Sequence, residues 1–339
     1  MNMMSYFKLI VPWLLLPLLL FGGGFSKVGT TAAPFLKIGA GARAVALGGN
    51  FVALANDATA LYWNPAGITA VGSVSISGTH TEWFADISHD FVALVAPLGN
   101  QSALGVDFIY LGSGDIEQTT VDEQDGNGIF YRVTDLALGL TYARRLTDRF
   151  SVAFKGKFIR QKIFREEASS FALDFGTLFD TGFKGLRIGM NLANFGKSMQ
   201  MDGSDLAVLQ DNSSTGESVE TRLKTESWPL PVVFRVGIAL DIVGNENGLT
   251  LSNRNRLTLT VDGTHPNDNK ETVGTGLEYV WNDLLALRGG YLYNHDVQDF
   301  TFGGGLNLVV AGWRVNIDYA YANFGDLNSI QRFTIGFAF

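Results

Sequence analysis

Carboxylate and amide oxygens gathered in one turn-rich segment are the clearest candidates for site chemistry in this sequence. The run DEQDGNG contains Asp122, Asp125 and Asn127, whose oxygen atoms are the ligand type that Ca²⁺ prefers. The spacing differs from that of an EF-hand loop, and most acidic loops are simply solvated, so a weak cation site and a plain surface loop stay open as alternatives. The histidines show no metal-ligand spacing and are predicted to be surface residues: His80, His89, His265 and His295.

Enzyme motifs are absent from the sequence. It contains no G-x-S-x-G nucleophile elbow, no Walker phosphate loop and no H-E-x-x-H zinc motif. The Gly-rich runs at 39–44 and 303–305 do not join a strand to a helix within a βαβ unit, so nucleotide binding is not supported. The chain also lacks cysteine, which excludes disulfides, thiolate metal sites and cysteine nucleophiles. We therefore predict a protein that is not an enzyme and that needs no cofactor or metal.

Ionisable residues also recur on the polar faces of segments that alternate with a period of two. Between residues 102 and 110, Leu104, Val106 and Phe108 share one face and Asp107 lies on the other, which is the pattern of a half-buried β-strand. The polar faces carry both signs of charge: Lys155, Lys157, Arg187, Arg235, Arg288, Arg314 and Arg332, with Asp107, Asp135, Asp174, Asp241, Asp262, Asp318 and Glu278. Balanced signs favour paired wall charges around a plug over an ion-selective ring.

About fourteen such strands are predicted, and many reach the ten residues or so that a membrane-crossing strand needs. They span 73–79, 87–97, 101–111, 130–145, 149–162, 169–181, 185–194, 230–242, 254–263, 271–281, 283–294, 299–310, 312–322 and 330–339. Short and long connections alternate, with long ones at 112–129 and 195–229 and an exception at 243–253, as is typical of outer-membrane barrels. We predict an all-β fold, a transmembrane antiparallel β-barrel, with a soluble secreted β-sandwich as the competing interpretation.

The two ends of the sequence resemble export signals. Lys8 and the short apolar run at 9–21 predict a secretory signal peptide over residues 1–26, because the run is too short for a spanning helix. The last strand ends in alternating apolar residues that resemble the signal read by the barrel-assembly machinery: Phe333, Ile335, Phe337 and Phe339. These features predict a location in the outer membrane of a Gram-negative (diderm) bacterium, in contact with outer-membrane lipid. The net charge of −8 argues against nucleic acid as a partner.

The stretch from residue 31 to 68 is small, Gly/Ala-rich and almost without charge. It is too apolar for a solvated linker and too short to hold a core of its own. We therefore predict that residues 27–72 form a plug, or hatch, inside a barrel built by residues 73–339. Pro65 restricts the backbone of Asn64, and Gly67 permits an unusual conformation, so the segment closes in a turn. The alternative is that this turn only begins the first strand.

The sequence FLKIGAGARAVALGGNFVALANDATALYWNPAGI, residues 35–68, resembles the N-terminal signature of the PorV/PorQ family of outer-membrane proteins. That family is similar to the FadL long-chain fatty-acid transporters, whose hatch also ends in an Asn-Pro-Ala turn. The resemblance implies a fourteen-stranded barrel with the N-terminal segment folded inside. The residues of this hatch motif are Gly39, Gly41, Arg43, Gly48, Gly49, Asn56, Asp57, Asn64, Pro65, Ala66 and Gly67.

The resemblance implies two functions of different classes. The PorV branch implies a role in type IX secretion, in which outer loops bind a secreted cargo protein or partners in the secretion complex. The FadL branch implies uptake of a hydrophobic small molecule through the barrel wall, which needs an apolar pocket against the hatch and a lateral gap. Glycines that would kink a strand and open such a gap are Gly156, Gly176, Gly189 and Gly303–Gly305.

Overall fold

The computed structural model describes residues 28–211, 218–245, 248–327 and 329–339, so the predicted signal peptide lies outside the described residues. The described chain begins with short helices. A 3-10 helix at Pro34–Lys37 is followed by α1 (Ala42–Ala46), α2 (Ala60–Trp63) and a 3-10 helix at Pro65–Ala70. None of the helices in the described ranges has the length and apolar character that crossing a membrane requires.

Fourteen long strands follow. They are β1 (Ser75–Glu82), β2 (Ser88–Leu98), β3 (Ser102–Gly112), β4 (Val133–Thr147), β5 (Phe150–Ile163), β6 (Glu166–Asp180), β7 (Arg187–Gly196), β8 (Val233–Gly244), β9 (Asn255–Pro266), β10 (Thr272–Trp281), β11 (Leu285–Tyr293), β12 (Phe300–Val310), β13 (Trp313–Asn323) and β14 (Ser329–Ala338). Each predicted strand overlaps one of these, with ends that differ by a few residues.

The strands form a closed ring in which every neighbouring pair is antiparallel. Strands β7 and β8 pair across the longest connection, and β14 returns to β1, with Ser75 opposite Ala338 and Glu82 opposite Gln331. Closure leaves no free sheet edge along the wall, which is the condition for spanning a membrane with strands. The predicted all-β antiparallel barrel of fourteen strands is therefore confirmed.

Side chains alternate between the two faces of the wall. On β4, Leu138 and Leu140 face outward and are exposed, whereas Ala137 and Thr141 face inward and are buried. An apolar outer face is stable when lipid rather than water surrounds it. On β14, Phe333, Ile335 and Phe337 belong to this outer face as the alternation predicts. Their recognition by barrel-assembly machinery stays a prediction.

Longer connections lie at one end of the barrel, which we call the loop end, and shorter ones at the other, the turn end. The region after β7 is built from short pairs: Met199–Gln200 with Ser227–Trp228, Asp202–Gly203 with Glu166 and Glu167 of β6, and Ala207–Asp211 with Ser218–Arg222. After β3, Ile116–Glu117 pairs with Phe130–Tyr131, and 3-10 helices occupy Ser204–Leu206 and Gly325–Leu327. The unusually long turn after β8 contains Thr250–Leu251, which runs parallel to the end of that strand.

A charge introduced on the outer face should destabilise the barrel in proportion to its depth. Leu140 is central on β4 and 61% exposed, and Leu146 lies near the end of the same strand and is 56% exposed. We expect Leu140→Arg to lower the free energy of unfolding in lipid vesicles by about 2–4 kcal/mol, and Leu146→Arg by about 0–1 kcal/mol. Denaturant titration in vesicles measures both, and equal costs for the two variants would contradict a lipid-facing band.

Candidate functional site

Residues 31–68, which we call the hatch segment, lie within the ring of strands. Backbone groups of this segment form hydrogen bonds with inward-facing side chains on several strands of the wall. The Ala42 N–H donates to Thr334 Oγ1 at 2.8 Å, and the Val52 N–H donates to Asp262 Oδ2 at 2.9 Å. The Thr301 hydroxyl donates to the Ala46 carbonyl at 3.1 Å. The wall thereby satisfies backbone groups that short helices leave without intrahelical partners.

The Asn-Pro turn closes the hatch segment and anchors it to the wall. The Asn64 side-chain amide donates to the carbonyls of Val52 and Thr177, each at 2.9 Å, while its oxygen accepts from the Ala66 N–H at 3.2 Å. Pro65 then begins the 3-10 helix, and the first strand starts only at Ser75. The turn therefore ends the hatch segment and does not itself begin the barrel.

The glycines of the hatch motif have no side chain, which allows backbone atoms and aromatic rings of the hatch segment to approach one another closely. Trp63 donates from Nε1 to the Ala40 carbonyl at 2.7 Å, and its ring lies where side chains at Gly39 and Gly49 would be. A Cβ at Gly67 would lie 2.2 Å from the Ala55 carbonyl oxygen. Gly41 faces Thr59, and Gly48 faces the backbone of β11.

Arg43 is the centre of a polar cluster formed by motif residues and one wall carboxylate. Its guanidinium binds Glu278 through two hydrogen bonds, at 2.8 and 2.9 Å, and also donates to Asn56 at 2.6 Å and to Asp57 at 2.8 Å. The same group lies over the Phe51 ring, 5.1 Å from its centroid. Burial disfavours the charged form of Arg43, but the Glu278 and Asp57 carboxylates favour that form more strongly. The net effect raises the pKa of the guanidinium. The cation therefore persists inside the barrel.

Most other inward-facing wall charges are paired, either between adjacent strands or across one intervening strand. Lys155 lies 2.8 Å from Asp107, and Lys157 lies 2.9 Å from Asp174. Arg288 bridges Glu278 at 2.8 Å and Asp318 at 2.6 Å, and Arg187 pairs with Asp241 at 2.9 Å. Lys155 also donates to the Leu61 carbonyl at 2.8 Å, so this pair holds the hatch segment as well. These contacts agree with the prediction of paired wall charges around a plug.

Three of the glycines expected to kink the wall lie against the hatch segment. A Cβ at Gly176 would lie 2.5 Å from Asn64 Oδ1, and one at Gly189 would lie 2.4 Å from the Val52 carbonyl oxygen. At Gly303 the nearest groups are the Tyr319 carbonyl and the Ala46 side chain. The strands remain paired through these positions. Close packing of the hatch segment against the wall accounts for glycine at these three positions. A strand kink that opens the wall stays a prediction.

Two cavities flank the hatch segment. The loop-end cavity, about 390 Å³, is lined by Trp63, Trp83, Phe324, Arg235 and Arg332 among others. The turn-end cavity, about 600 Å³, is lined by polar residues that include Arg43, Asp57, Glu278, Arg288 and Asp318. Because residues of the hatch segment line both, it lies between them.

His89 and the acidic loop at residues 122–127 were both assigned from the sequence alone. His89 is fully buried and faces inward on β2, so its assignment as a surface residue is wrong. In the acidic loop, Asn127 Oδ1 accepts from the Ile129 N–H at 3.0 Å, while Asp122 and Asp125 are exposed. Within the described ranges no group of three or more His, Asp or Glu side chains has the arrangement of a metal site. Cation binding by this loop stays a prediction.

Sequence reasoning did not single out the aromatic residues at the loop end. Phe324 packs edge to face with both Trp83 and Phe84, whose own rings are tilted to each other, and the ring centroids lie 5.1–5.6 Å apart. The adjacent Trp and Phe in a short connection were the only local signal for this cluster.

Comparison with known proteins adds a family and a fold. The sequence matches the family of the type IX secretion system protein PorV over residues 25–216, a little over half of the chain. No curated protein matches the sequence. The structure is similar to the toluene transporter TbuX of Ralstonia pickettii, with 13% identity, 88% of this chain and 97% of that chain covered, and a TM-score of 0.56.

Two further solved structures share this fold. The monoaromatic hydrocarbon channel CymD has 12% identity, 89% of this chain and 98% of that chain covered, and a TM-score of 0.57. A FadL homologue of Pseudomonas aeruginosa has 12% identity, 94% and 99% coverage, and a TM-score of 0.51. The fold is therefore FadL-like, which agrees with the resemblance found in the sequence.

Adding one methyl group at Gly67 should loosen the hatch segment. The new Cβ would clash with the Ala55 carbonyl, so we expect Gly67→Ala to lower the stability of the barrel by about 1–3 kcal/mol. Gly156→Ala is the matched control, because nothing lies within 4 Å of its Cβ position. Thermal unfolding in detergent measures both, and equal stability of the two variants would show that the close approach is not required.

Removing the charge of Glu278 should release Arg43 from the wall. Glu278→Gln leaves two buried guanidiniums without their shared carboxylate, so we expect a loss of about 3–5 kcal/mol. Because the chain has no cysteine, a single cysteine at Ala58 reports exposure of the hatch segment by its labelling rate. The rate should rise in Glu278→Gln and stay unchanged in Arg160→Gln, which removes an exposed charge from β5. An unchanged rate in Glu278→Gln would argue against the pair as an anchor.

Proposed function

Because the chain belongs to the family of the type IX secretion system protein PorV, we propose that it acts in protein secretion or surface assembly by binding partner proteins at its loop end. The protein is an outer-membrane β-barrel of a Gram-negative bacterium, with the FadL-like fold. The family match carries the proposal, and it covers the hatch motif as well as the first half of the long connection after β7. The partner is a secreted cargo protein or a subunit of the secretion complex.

Exposed apolar side chains on the connections of the loop end support a protein-binding role. Val121 is 90% exposed and Phe130 is 58% exposed in the connection after β3. Leu223 and Trp228 are exposed in the connection after β7. Large apolar groups outside a barrel wall gain stability when a protein partner covers them.

The hairpin of Ala207–Asp211 and Ser218–Arg222 offers a second mode of binding. It forms a separate two-stranded sheet, and within the described residues no third strand pairs with it. An extended segment of a partner can add to such an edge through main-chain hydrogen bonds. The base of the hairpin is fixed to the barrel by Asp202 and Gly203, which pair with β6.

A transporter of hydrophobic small molecules is the second candidate function. The loop-end cavity, with Trp63, Trp83 and Phe324 among its lining residues, favours it because apolar ligands need such a pocket. The neighbours TbuX and CymD carry the names of a toluene transporter and a monoaromatic hydrocarbon channel. The ring of paired strands, which is closed apart from local register shifts such as that between β6 and β7 at Leu173 and Phe175, weighs against a lateral route, as do the paired charges beside the hatch segment.

Shortening the hairpin tests the secretion role. We expect replacement of residues 207–222 by a short Gly-Ser linker to leave the barrel folded, because Asp202–Gly203 and Met199–Gln200 keep their own partners. The same variant should lose association with secreted cargo or secretion-complex subunits in pull-downs from detergent-solubilised outer membranes. The matched control shortens the long turn after β8, residues 245–253, which lies at the turn end and should keep cargo association. Cargo association that survives the first deletion would refute binding through this hairpin.

A further inference from the structure

Basic side chains gather at two neighbouring turns of the turn end. Arg144 and Arg149 lie at the turn between β4 and β5, and Lys184 lies in the turn between β6 and β7. All three residues are exposed. None of them takes part in an ion pair among the described residues, whereas other cations of the turn end, such as Arg187, do. Three cations are therefore available here to an anion from outside the chain.

Exposed cations at the loop end are placed differently. Several of them lie within ion-pair distance of a carboxylate of the same end: Arg132, Arg160, Arg165, Arg222 and Lys270. The pairs of Arg132 with Asp115 and of Arg165 with Asp205, for example, measure 2.5 and 3.2 Å. The loop end thus neutralises much of its positive charge with its own carboxylates, and the turns after β4 and β6 do not.

The carboxylates of these two turns leave an excess of positive charge. Asp180 Oδ1 accepts from the Gly182 N–H at 2.8 Å, so it caps the turn after β6. Asp148 is exposed and belongs to none of the ion pairs found in the described ranges. A fourth cation, Arg145, donates to the Thr69 carbonyl at 3.0 Å. Four cations and two carboxylates give the pair of turns a net charge of +2.

Contacts between the two turns hold Arg149 close to the turn that carries Lys184. The Arg149 carbonyl accepts from the Asp180 N–H at 2.8 Å, and its guanidinium donates to the Thr181 carbonyl at 3.4 Å. The guanidinium also occupies the place where a side chain at Gly182 would be. Arg149 therefore lies across the turn after β6, in which Lys184 follows Gly182 by two residues.

Arg144 adds a cation from the outer face of the wall. It alternates with Tyr142 and Leu146, which are 42% and 56% exposed, and it lies opposite Val152 of β5. Beside lipid, an arginine lays its aliphatic stem along the wall and keeps its guanidinium at the membrane surface. Strands β4 and β6 are two strand spacings apart, about 10 Å, which flexible arginine and lysine side chains bridge.

Apolar side chains place this basic cluster at the membrane surface. Phe183, next to Lys184, is 66% exposed, and Trp281 and Trp313 at the same end are 48% and 52% exposed. Aromatic residues form belts where an outer-membrane barrel meets the two surfaces of the bilayer. The short turns of such barrels face the periplasm, so the neighbouring leaflet is the one built from phospholipids.

We propose that the turns after β4 and β6 bind the phosphate headgroup of an anionic phospholipid in the periplasmic leaflet through Arg144, Arg149 and Lys184. Arginine forms two parallel hydrogen bonds with a phosphate, and lysine adds a compact positive charge. Phe183 and Leu146 then contact the acyl chains beneath the headgroup. This site does not depend on the proposed role in secretion.

Lipid retention by the purified full-length protein tests the proposal. Native mass spectrometry in detergent compares phosphatidylglycerol with phosphatidylcholine of the same acyl chains, in which the choline cation cancels the phosphate charge. We expect the protein to retain phosphatidylglycerol about tenfold better, because each nearby cation favours an anionic lipid. Equal retention of the two lipids would overturn the proposal. Inorganic phosphate at the lipid concentration should leave retention unchanged, and displacement of the lipid by it would assign the site to free phosphate instead.

Substitutions assign the headgroup to the three cations. We expect the triple variant Arg144→Gln, Arg149→Gln and Lys184→Gln to lose the preference for phosphatidylglycerol, and Arg144→Lys with Arg149→Lys to keep it because the charge remains. The matched control changes the net charge equally at the loop end and should bind as the wild type does: Arg132→Gln, Arg160→Gln and Arg165→Gln.

Unfolding temperatures in detergent check the fold of these variants. They should stay close to the wild-type value, because all the substituted side chains are exposed. A wild-type preference for phosphatidylglycerol in the turn-end triple variant, or an equal loss of preference in both triple variants, would refute the assignment.

Discussion

The need to neutralise charge inside the lumen of the barrel is the constraint on which this structure depends. Polar residues must face inward because the outer face of the wall is apolar, and their charges are then removed from bulk water. Ion pairs within the wall meet this need, such as that between Lys155 and Asp107, which lie on the two strands that flank β4. At Glu278 the wall supplies a carboxylate that Arg288 only partly occupies, and Arg43 of the hatch segment completes the arrangement. The hatch segment is thus part of the charge balance of the barrel.

Close packing of the hatch segment against the wall is the second condition. Small residues, glycine and alanine, on both the hatch segment and the wall make it possible. The hatch segment approaches the wall so closely that backbone atoms of Val52 and Leu47 occupy the places where side chains at Gly189 and Gly290 would be. These contacts leave little room for water between hatch segment and wall, so the ion pairs beside them act in a medium of low dielectric constant. Packing and electrostatics therefore reinforce each other.

Local patterns in the sequence predicted the strands, because period-2 alternation is a property of neighbouring residues. They failed where both faces of a strand are apolar. On β2, Phe91 and Val95 face inward beside His89, and Val92 faces outward, so the pattern did not reveal that His89 is buried. The contact between Arg43 and Glu278 joins residues 235 positions apart, and no local pattern encodes it. The family resemblance singled out Arg43, Asn56 and Asp57. Their wall partner, Glu278, could be identified only from the arrangement of the strands in the barrel.

The distribution of charge makes the two ends of the hatch segment unequal. At the turn end, Arg43 is held by Glu278 and Asp57, and breaking a buried pair of this kind costs about 3–5 kcal/mol. At the loop end, Arg235 and Arg332 contact rings instead of carboxylates, so rearrangement there breaks no ion pair of theirs among the described contacts. The hatch segment is nevertheless anchored at this end too, because Lys37 pairs with Asp268 of the connection after β9 at 2.6 Å.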